Sequence, residues 1–146
     1  MRYLLDTNIL LRQFDPASSS RMLTLEALKK LHREGAELCV LPQNIIEFWG
    51  VATRPQSVNG LGLTVEQAEA ERLRIESLFR LIPDPKGIYE RWASLVNTHQ
   101  VLGKNVHDTR IVAAMLEAGI THMLTFNDTH FRRFEPEIIV VNPDQI

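Results

Sequence analysis

Short apolar runs alternate with stretches of helical periodicity along almost the whole chain. Tyr3-Leu4-Leu5 is an apolar run stopped by Asp6-Thr7-Asn8, the pattern of a first buried strand. Ile9, Leu10 and Leu11 open a short helix or turn that Asp15-Pro16 breaks, and Ser18-Ser19-Ser20 offer caps for the next helix, which runs to about Glu34 before Gly35. Leu38 to Leu41 reads as a strand. Pro42 begins a helix to about Thr53, with Ile45, Phe48, Trp49 and Ala52 on one stripe. Arg54 to Leu63 is a loop. Thr64 with Gln67 forms a capping-box pattern that opens a helix to about Phe79.

Leu81-Ile82-Pro83 is a short edge segment, after which Asp84-Pro85 is expected to cap and start a helix carrying Ile88, Trp92, Leu95 and His99 on one face. Asn105 with Asp108 is the expected cap of a further helix, whose stripe is Ile111, Ala114, Met115 and Ala118 and whose stop is Gly119. His122 to Thr125 reads as a strand, Asp128 to Phe134 as a turn or short helix, and Ile138 to Val141 as a last strand. Short continuous apolar strands separated by helices imply an α/β fold with a parallel sheet covered on both faces. Ligands of such sheets sit beyond the carboxyl ends of the strands.

A length of 146 residues fits a single domain spanning 1–146. Hydrophobic residues make up 45% and charged residues 23%, which excludes disorder and leaves enough apolar side chains for a core. The net charge of −2 excludes a polybasic wrapper of nucleic acid but not a local basic patch. No apolar run approaches the roughly 18 residues of a membrane span. Asp6 interrupts any signal-peptide core, so a cytoplasmic location is expected. The single cysteine, Cys39, leaves no internal disulfide and no thiolate-rich zinc site, so any metal is expected on oxygen.

Candidate chemistry lies just after the strands. Asp6 follows the first, and Asn127 and Asp128 follow the strand at 122–125. Asp108 opens a helix, and Glu47 sits inside an otherwise apolar one. Each has an ordinary structural explanation: a turn, a cap, or, for Glu47 beside Gln43, Asn44, Gly50 and Arg54, a solvated stripe. Their joint placement is the signal. Several carboxylates within a few ångströms raise one another's pKa, and a hard divalent cation removes that conflict. Such an ion acidifies water and stabilises charge on a phosphoryl group, so the expected chemistry is metal-assisted phosphodiester hydrolysis. Arg12, Arg54, Lys104, Arg110, Arg132 and Arg133 lie near these acids in sequence and suit a phosphate backbone. None of the five histidines forms an i, i+4 metal pair; His130 is the one nearest the expected site.

The chain resembles the PIN-domain ribonucleases, and among them the VapC-like toxins of type II toxin–antitoxin pairs. The resemblance rests on Leu4-Leu5-Asp6-Thr7-Asn8-Ile9-Leu10-Leu11-Arg12, on Asn44-Ile45-Ile46-Glu47-Phe48-Trp49, on Thr53-Arg54-Pro55 and Asn59-Gly60-Leu61-Gly62-Leu63-Thr64, on Val106-His107-Asp108-Thr109-Arg110-Ile111-Val112-Ala113-Ala114, and on Leu124-Thr125-Phe126-Asn127-Asp128-Thr129-His130-Phe131. It implies a three-layer α/β/α sandwich and an endoribonuclease dependent on Mg2+ or Mn2+. It makes Asp6, Glu47 and Asp108 the acidic metal-binding residues. The fourth position stays open between Asn127, Asp128 and His130, with Asp128 carried as a further catalytic candidate and Asn127 and Asp128 as further ligands. The resemblance also implies a homodimer and a small cognate antitoxin, for which the loop and helix from Arg54 to Phe79 form a natural clamp.

Two other functions fit parts of the pattern. A phosphatase with Asp6 as covalent nucleophile also begins with an aspartate ending the first strand, although Asn8 stands where its second acid belongs and Lys104 is the one lysine at hand. A catalytically degenerate PIN-fold module that only binds RNA or protein would not need to retain the acids.

Overall fold

The computed structural model describes all 146 residues. In chain order the elements are β1 (Arg2–Leu5), α1 (Thr7–Phe14), α2 (Arg21–Arg33), β2 (Glu37–Val40), α3 (Pro42–Thr53), α4 (Val65–Leu78), β3 (Arg80–Leu81), α5 (Ile88–Thr98), α6 (Asn105–Glu117), β4 (His122–Leu124), α7 (Asp128–Phe131) and β5 (Ile139–Val141). The strands form one parallel sheet in the order β3-β2-β1-β4-β5. The first strand of the chain is therefore the central one. Its register sets Leu4 beside Cys39 and Met123, and Leu5 beside Leu124.

Alternation along these strands splits the core in two, because successive side chains point to opposite faces. Leu4, Cys39, Met123 and Val140 face one way and pack with Ile111, Val112 and Met115 of α6 and Leu95 of α5. Tyr3, Leu5, Val40 and Leu124 face the other way, against Ile9, Leu28, Ile45, Phe48 and Ile75 of the first four helices. The result is the expected three-layer sandwich. No helix is long and apolar enough to cross a membrane.

The caps explain where several helices begin. Pro42 occupies the first position of α3, and the Asn44 side chain accepts the Leu41 amide at 2.9 Å. Thr64 and Gln67 form the expected reciprocal box at the start of α4, at 2.9 and 3.1 Å. Asp6 caps α1 by accepting the Thr7 amide at 2.8 Å.

Three local expectations need correction. Helix α5 starts at Ile88 rather than at Asp84-Pro85, because Gly87 turns left-handed (φ 87°) and a helix cannot run through it. Helix α6 is capped by no side chain: Asn105 is already helical, Lys104 precedes it, and the Asp108 carboxylate is free of the backbone. Ser20 precedes α2 without capping it, its hydroxyl accepting Arg12 Nη1 at 3.1 Å instead.

The connection from α3 to α4 is folded tightly back on α3, with Leu61 donating to Val51 and Leu63 to Ala52. Gly60 packs there so closely that a Cβ would lie 1.8 Å from the Arg54 carbonyl oxygen.

Candidate functional site

The carboxyl ends of β1 and β4 lie side by side at the middle of the sheet, the Asp6 amide donating to the Leu124 carbonyl at 3.1 Å. The next residue on each chain segment carries a polar side chain. Asp6 is only 6% exposed, and Thr125 is fully buried. Thr125 Oγ1 donates to Asp6 Oδ2 at 2.7 Å, and Asn8 Nδ2 donates to the same oxygen at 3.3 Å. Asp6 Oδ1 accepts the Thr7 amide. The carboxylate is thus fixed on both oxygens by neutral donors.

Helix α3 brings Glu47 to this point. Thr7 Oγ1, in the first turn of α1, donates to Glu47 Oε2 at 2.9 Å, and Gln43 Nε2, one turn earlier on α3, donates to Oε1 at 3.1 Å. Gln43 Nε2 also donates to the His107 carbonyl at 2.9 Å, which ties α3 to the first turn of α6. That turn supplies Asp108, half-buried like Glu47.

The three acids act on one another electrostatically. Burial pushes the Asp6 pKa up to about 6. The Thr125 and Thr7 hydrogen bonds act the other way, and the charges of Asp108 and Glu47 push it up further. Asp108 is also raised, first by burial and then by Glu47, against the pull of His130, His107 and Lys104. None of the three acids forms an ion pair; every carboxylate pair of the molecule lies elsewhere. No three His, Cys, Asp or Glu groups are gathered closely enough to encircle an ion as they stand. The donor set nevertheless fits a hard cation. It offers only carboxylate and neutral oxygens, and it carries like charge that no ion pair of the protein neutralises.

The other expected residues are placed differently. Both Asp128 oxygens are engaged elsewhere: Oδ1 accepts Asn142 Nδ2 at 3.0 Å and Oδ2 pairs with Arg132 at 2.9 Å, and these contacts lower its pKa. Asn127 is exposed, and its backbone amide donates to Thr125 Oγ1 at 2.9 Å. His130 is exposed and within electrostatic reach of Asp108.

Four supporting side chains escape the sequence reading in these roles: Thr7, Asn8, Thr125 and Gln43. Thr7 and Asn8 stand in the turn after β1 and Thr125 just after β4, where a parallel sheet gathers function. Gln43 lies four positions before Glu47, on the same helical face.

Of the basic residues, Arg12 lies over the Phe126 ring at 4.1 Å, and Arg110 is held by Gln43 Oε1 at 2.9 Å and Asp84 at 3.4 Å. Arg132 is spent on Asp128 and Glu135.

The sequence matches the PIN domain family over residues 3–135. Among curated proteins, none matches it. Three solved structures show the same fold. The VapBC2 complex of Rickettsia felis bound to promoter DNA superposes with a TM-score of 0.72 at 18% identity, covering 97% of this chain and 98% of that one. A toxin–antitoxin complex from Klebsiella pneumoniae gives 0.67 at 23% identity, covering 99% of each chain. The VapC20 toxin of Mycobacterium tuberculosis, which cleaves the sarcin–ricin loop, gives 0.58 at 14% identity, covering 83% of this chain and 86% of that one.

Proposed function

The chain belongs to the PIN domain family, and on that footing we propose that it is a divalent-metal-dependent endoribonuclease, the toxin of a toxin–antitoxin pair. What supports this reading is that Asp6, just after β1, Glu47 on α3 and Asp108 on α6 are within electrostatic reach of one another, and that no cation of the protein's own is paired to them. The sarcin–ricin loop cleaved by a neighbour of the same fold supports RNA as substrate.

Asp6, Glu47 and Asp108 would hold Mg2+ or Mn2+, with Asn127 at the rim. Bound there, the ion would acidify water and offset charge developing on the phosphoryl oxygens. The protein's own part is positioning. Thr125 and the Thr7 amide hold Asp6 in one orientation, and Thr7 and Gln43 hold both oxygens of Glu47. Lys104 and His107, whose charge acts on Asp108, would help to orient the backbone phosphate for in-line displacement. Asp128 is assigned a structural role, since both its oxygens are engaged.

The antitoxin assignment draws on the neighbours, two of which are toxin–antitoxin complexes. Residues 54–79 suit a clamp, because Val58, Val65, Leu73 and Leu78 are all outward-facing and exposed. A homodimer and a cytoplasmic place of action complete the proposal; light scattering of the purified chain tests the first.

The decisive experiment is Asp6→Asn. Cleavage of single-stranded RNA in Mn2+ should vanish while the circular dichroism spectrum and melting cooperativity persist. Undiminished metal-dependent cleavage by that variant defeats the assignment, and an aspartyl-phosphate trapped on Asp6 would mark a phosphatase instead.

A further inference from the structure

Two clefts adjoin on the outer side of Glu47. The first, of about 310 Å³, lies between Gln43, Ile46, Glu47, Asp84, His107 and Arg110. The second, of about 490 Å³, continues from His107 and Arg110 to Ile88, Tyr89, Trp92 and Val106. The two share His107 and Arg110, so one groove leads from Glu47 to an aromatic wall.

That wall is built. Tyr89 is 72% exposed, and its ring lies nearly parallel to that of Trp92, 27° apart with centroids at 6.0 Å. Trp92 packs against the core of α5 and α6, and its Nε1 donates to the Val106 carbonyl at 2.9 Å, which fixes the ring's plane. Its one polar atom is consumed inside the protein, so what remains for a ligand is an apolar face. The guanidinium between wall and acids is also preset: Gln43 and Asp84 hold Arg110, and Gln43 bonds Glu47 as well.

We propose that this groove seats one unpaired nucleobase of a single-stranded RNA beside the cleaved bond, stacked on Tyr89, with Arg110 meeting the intervening phosphate. The inference rests on the nuclease reading and deepens it. Aromatic face, guanidinium and acid cluster follow one another in the order base, phosphate, scissile phosphate, as they come along a strand. Stacking on an aromatic ring is tolerant of base identity, because every base has a π-face. A duplex has no free base to offer, so the groove selects unpaired segments.

The test uses the full chain with Trp49→Phe, which leaves Trp92 as the sole indole of two. A mixed-sequence single-stranded oligoribonucleotide of about ten nucleotides is titrated in EDTA, where no cleavage occurs. Trp92 fluorescence should quench saturably. Tyr89→Ala should weaken the Kd about tenfold, and Tyr89→Phe should restore it. In Mn2+, Tyr89→Ala should raise KM about tenfold and lower kcat far less. RNA binding with an unchanged Kd in Tyr89→Ala, or without quenching of Trp92, overturns the subsite while leaving the nuclease intact. Loss of a protein partner by Tyr89→Ala at unchanged RNA constants overturns it too, by making the groove a protein interface. An unmodified chain that neither binds nor cleaves RNA fails the nuclease reading itself.

Discussion

The hydroxyl of Thr125 donates a 2.7 Å hydrogen bond to Asp6 across 119 positions of sequence, joining the ends of two adjacent strands in the middle of the sheet. Thr125→Val keeps the shape and removes the donor. It also strips the Asn127 amide and Asn8 Nδ2 of their acceptor. Urea melts should show a loss of about 1–3 kcal/mol. The Asp6 pKa should rise further, since this bond lowers it. The acid limb of the pH–rate profile should then move to higher pH; an unmoved limb would detach Asp6 from that limb.

The raised pKa of Asp6 makes its charge a cost to the fold. With the folded value at about 6 and the ordinary aspartate value at 3.8, the folded chain keeps a proton that the unfolded chain has already lost. Stability contributed by this group is therefore full below pH 3.8 and is lost as pH rises toward 6. In EDTA at pH 7.5, Asp6→Asn should be more stable than the unmodified chain by about 1–2 kcal/mol, net of its altered hydrogen bonds. At pH 4 the advantage should disappear. Equal melting temperatures at both pH values would contradict the assignment of the shift to burial and neighbouring charge.

Mn2+ should reverse that cost. Adding it at a hundredfold excess over Kd should stabilise the unmodified chain by about 2.7 kcal/mol, with weaker stabilisation at pH 5, where a proton competes on Asp6. Asp6→Asn and Asp108→Asn should each lose most of this response in calorimetric scans. An undiminished response in both would place the ion elsewhere.

Asp128→Asn should spare Mn2+ binding and RNA cleavage. Its carboxylate pairs with the half-exposed Arg132, so its loss should cost about 0.5 kcal/mol. The lowered pKa of Asp128 contributes stability that is present above the unfolded value and falls away in acid. Abolished cleavage at unchanged stability would return Asp128 to the metal site.

Gly60→Ala should destabilise by about 2 kcal/mol or more, because the added Cβ would meet the Arg54 carbonyl and force the loop off α3. The readout is the melting temperature together with proteolytic nicking between residues 54 and 63.

The strand ends and the acids were legible because both obey local rules. An apolar run closed by Asp6-Thr7-Asn8 announces a strand and a cap, and Pro42 announces the start of α3, whatever the tertiary structure does later. Glu47 was ambiguous from local neighbours alone: Gln43, four positions away, reads as a solvated partner. It is in fact the link to His107 and Arg110, a relation that exists only once α3 meets α6. The start of α5 was hidden for the opposite reason. Asp84-Pro85 is a good local signal, but the left-handed turn at Gly87 outweighs it. Asp108 looked like a cap because it stands where caps stand, and only the approach of Glu47 reveals its other company.

Placing the first strand at the centre of the sheet has a consequence for synthesis. Asp6 leaves the ribosome 119 residues before Thr125, the neighbour that orients it. A growing polypeptide therefore leaves Asp6 unoriented until β4 docks beside β1, and termination between α6 and β4 yields a product that carries Asp6, Glu47 and Asp108 without the bond that holds the first of them.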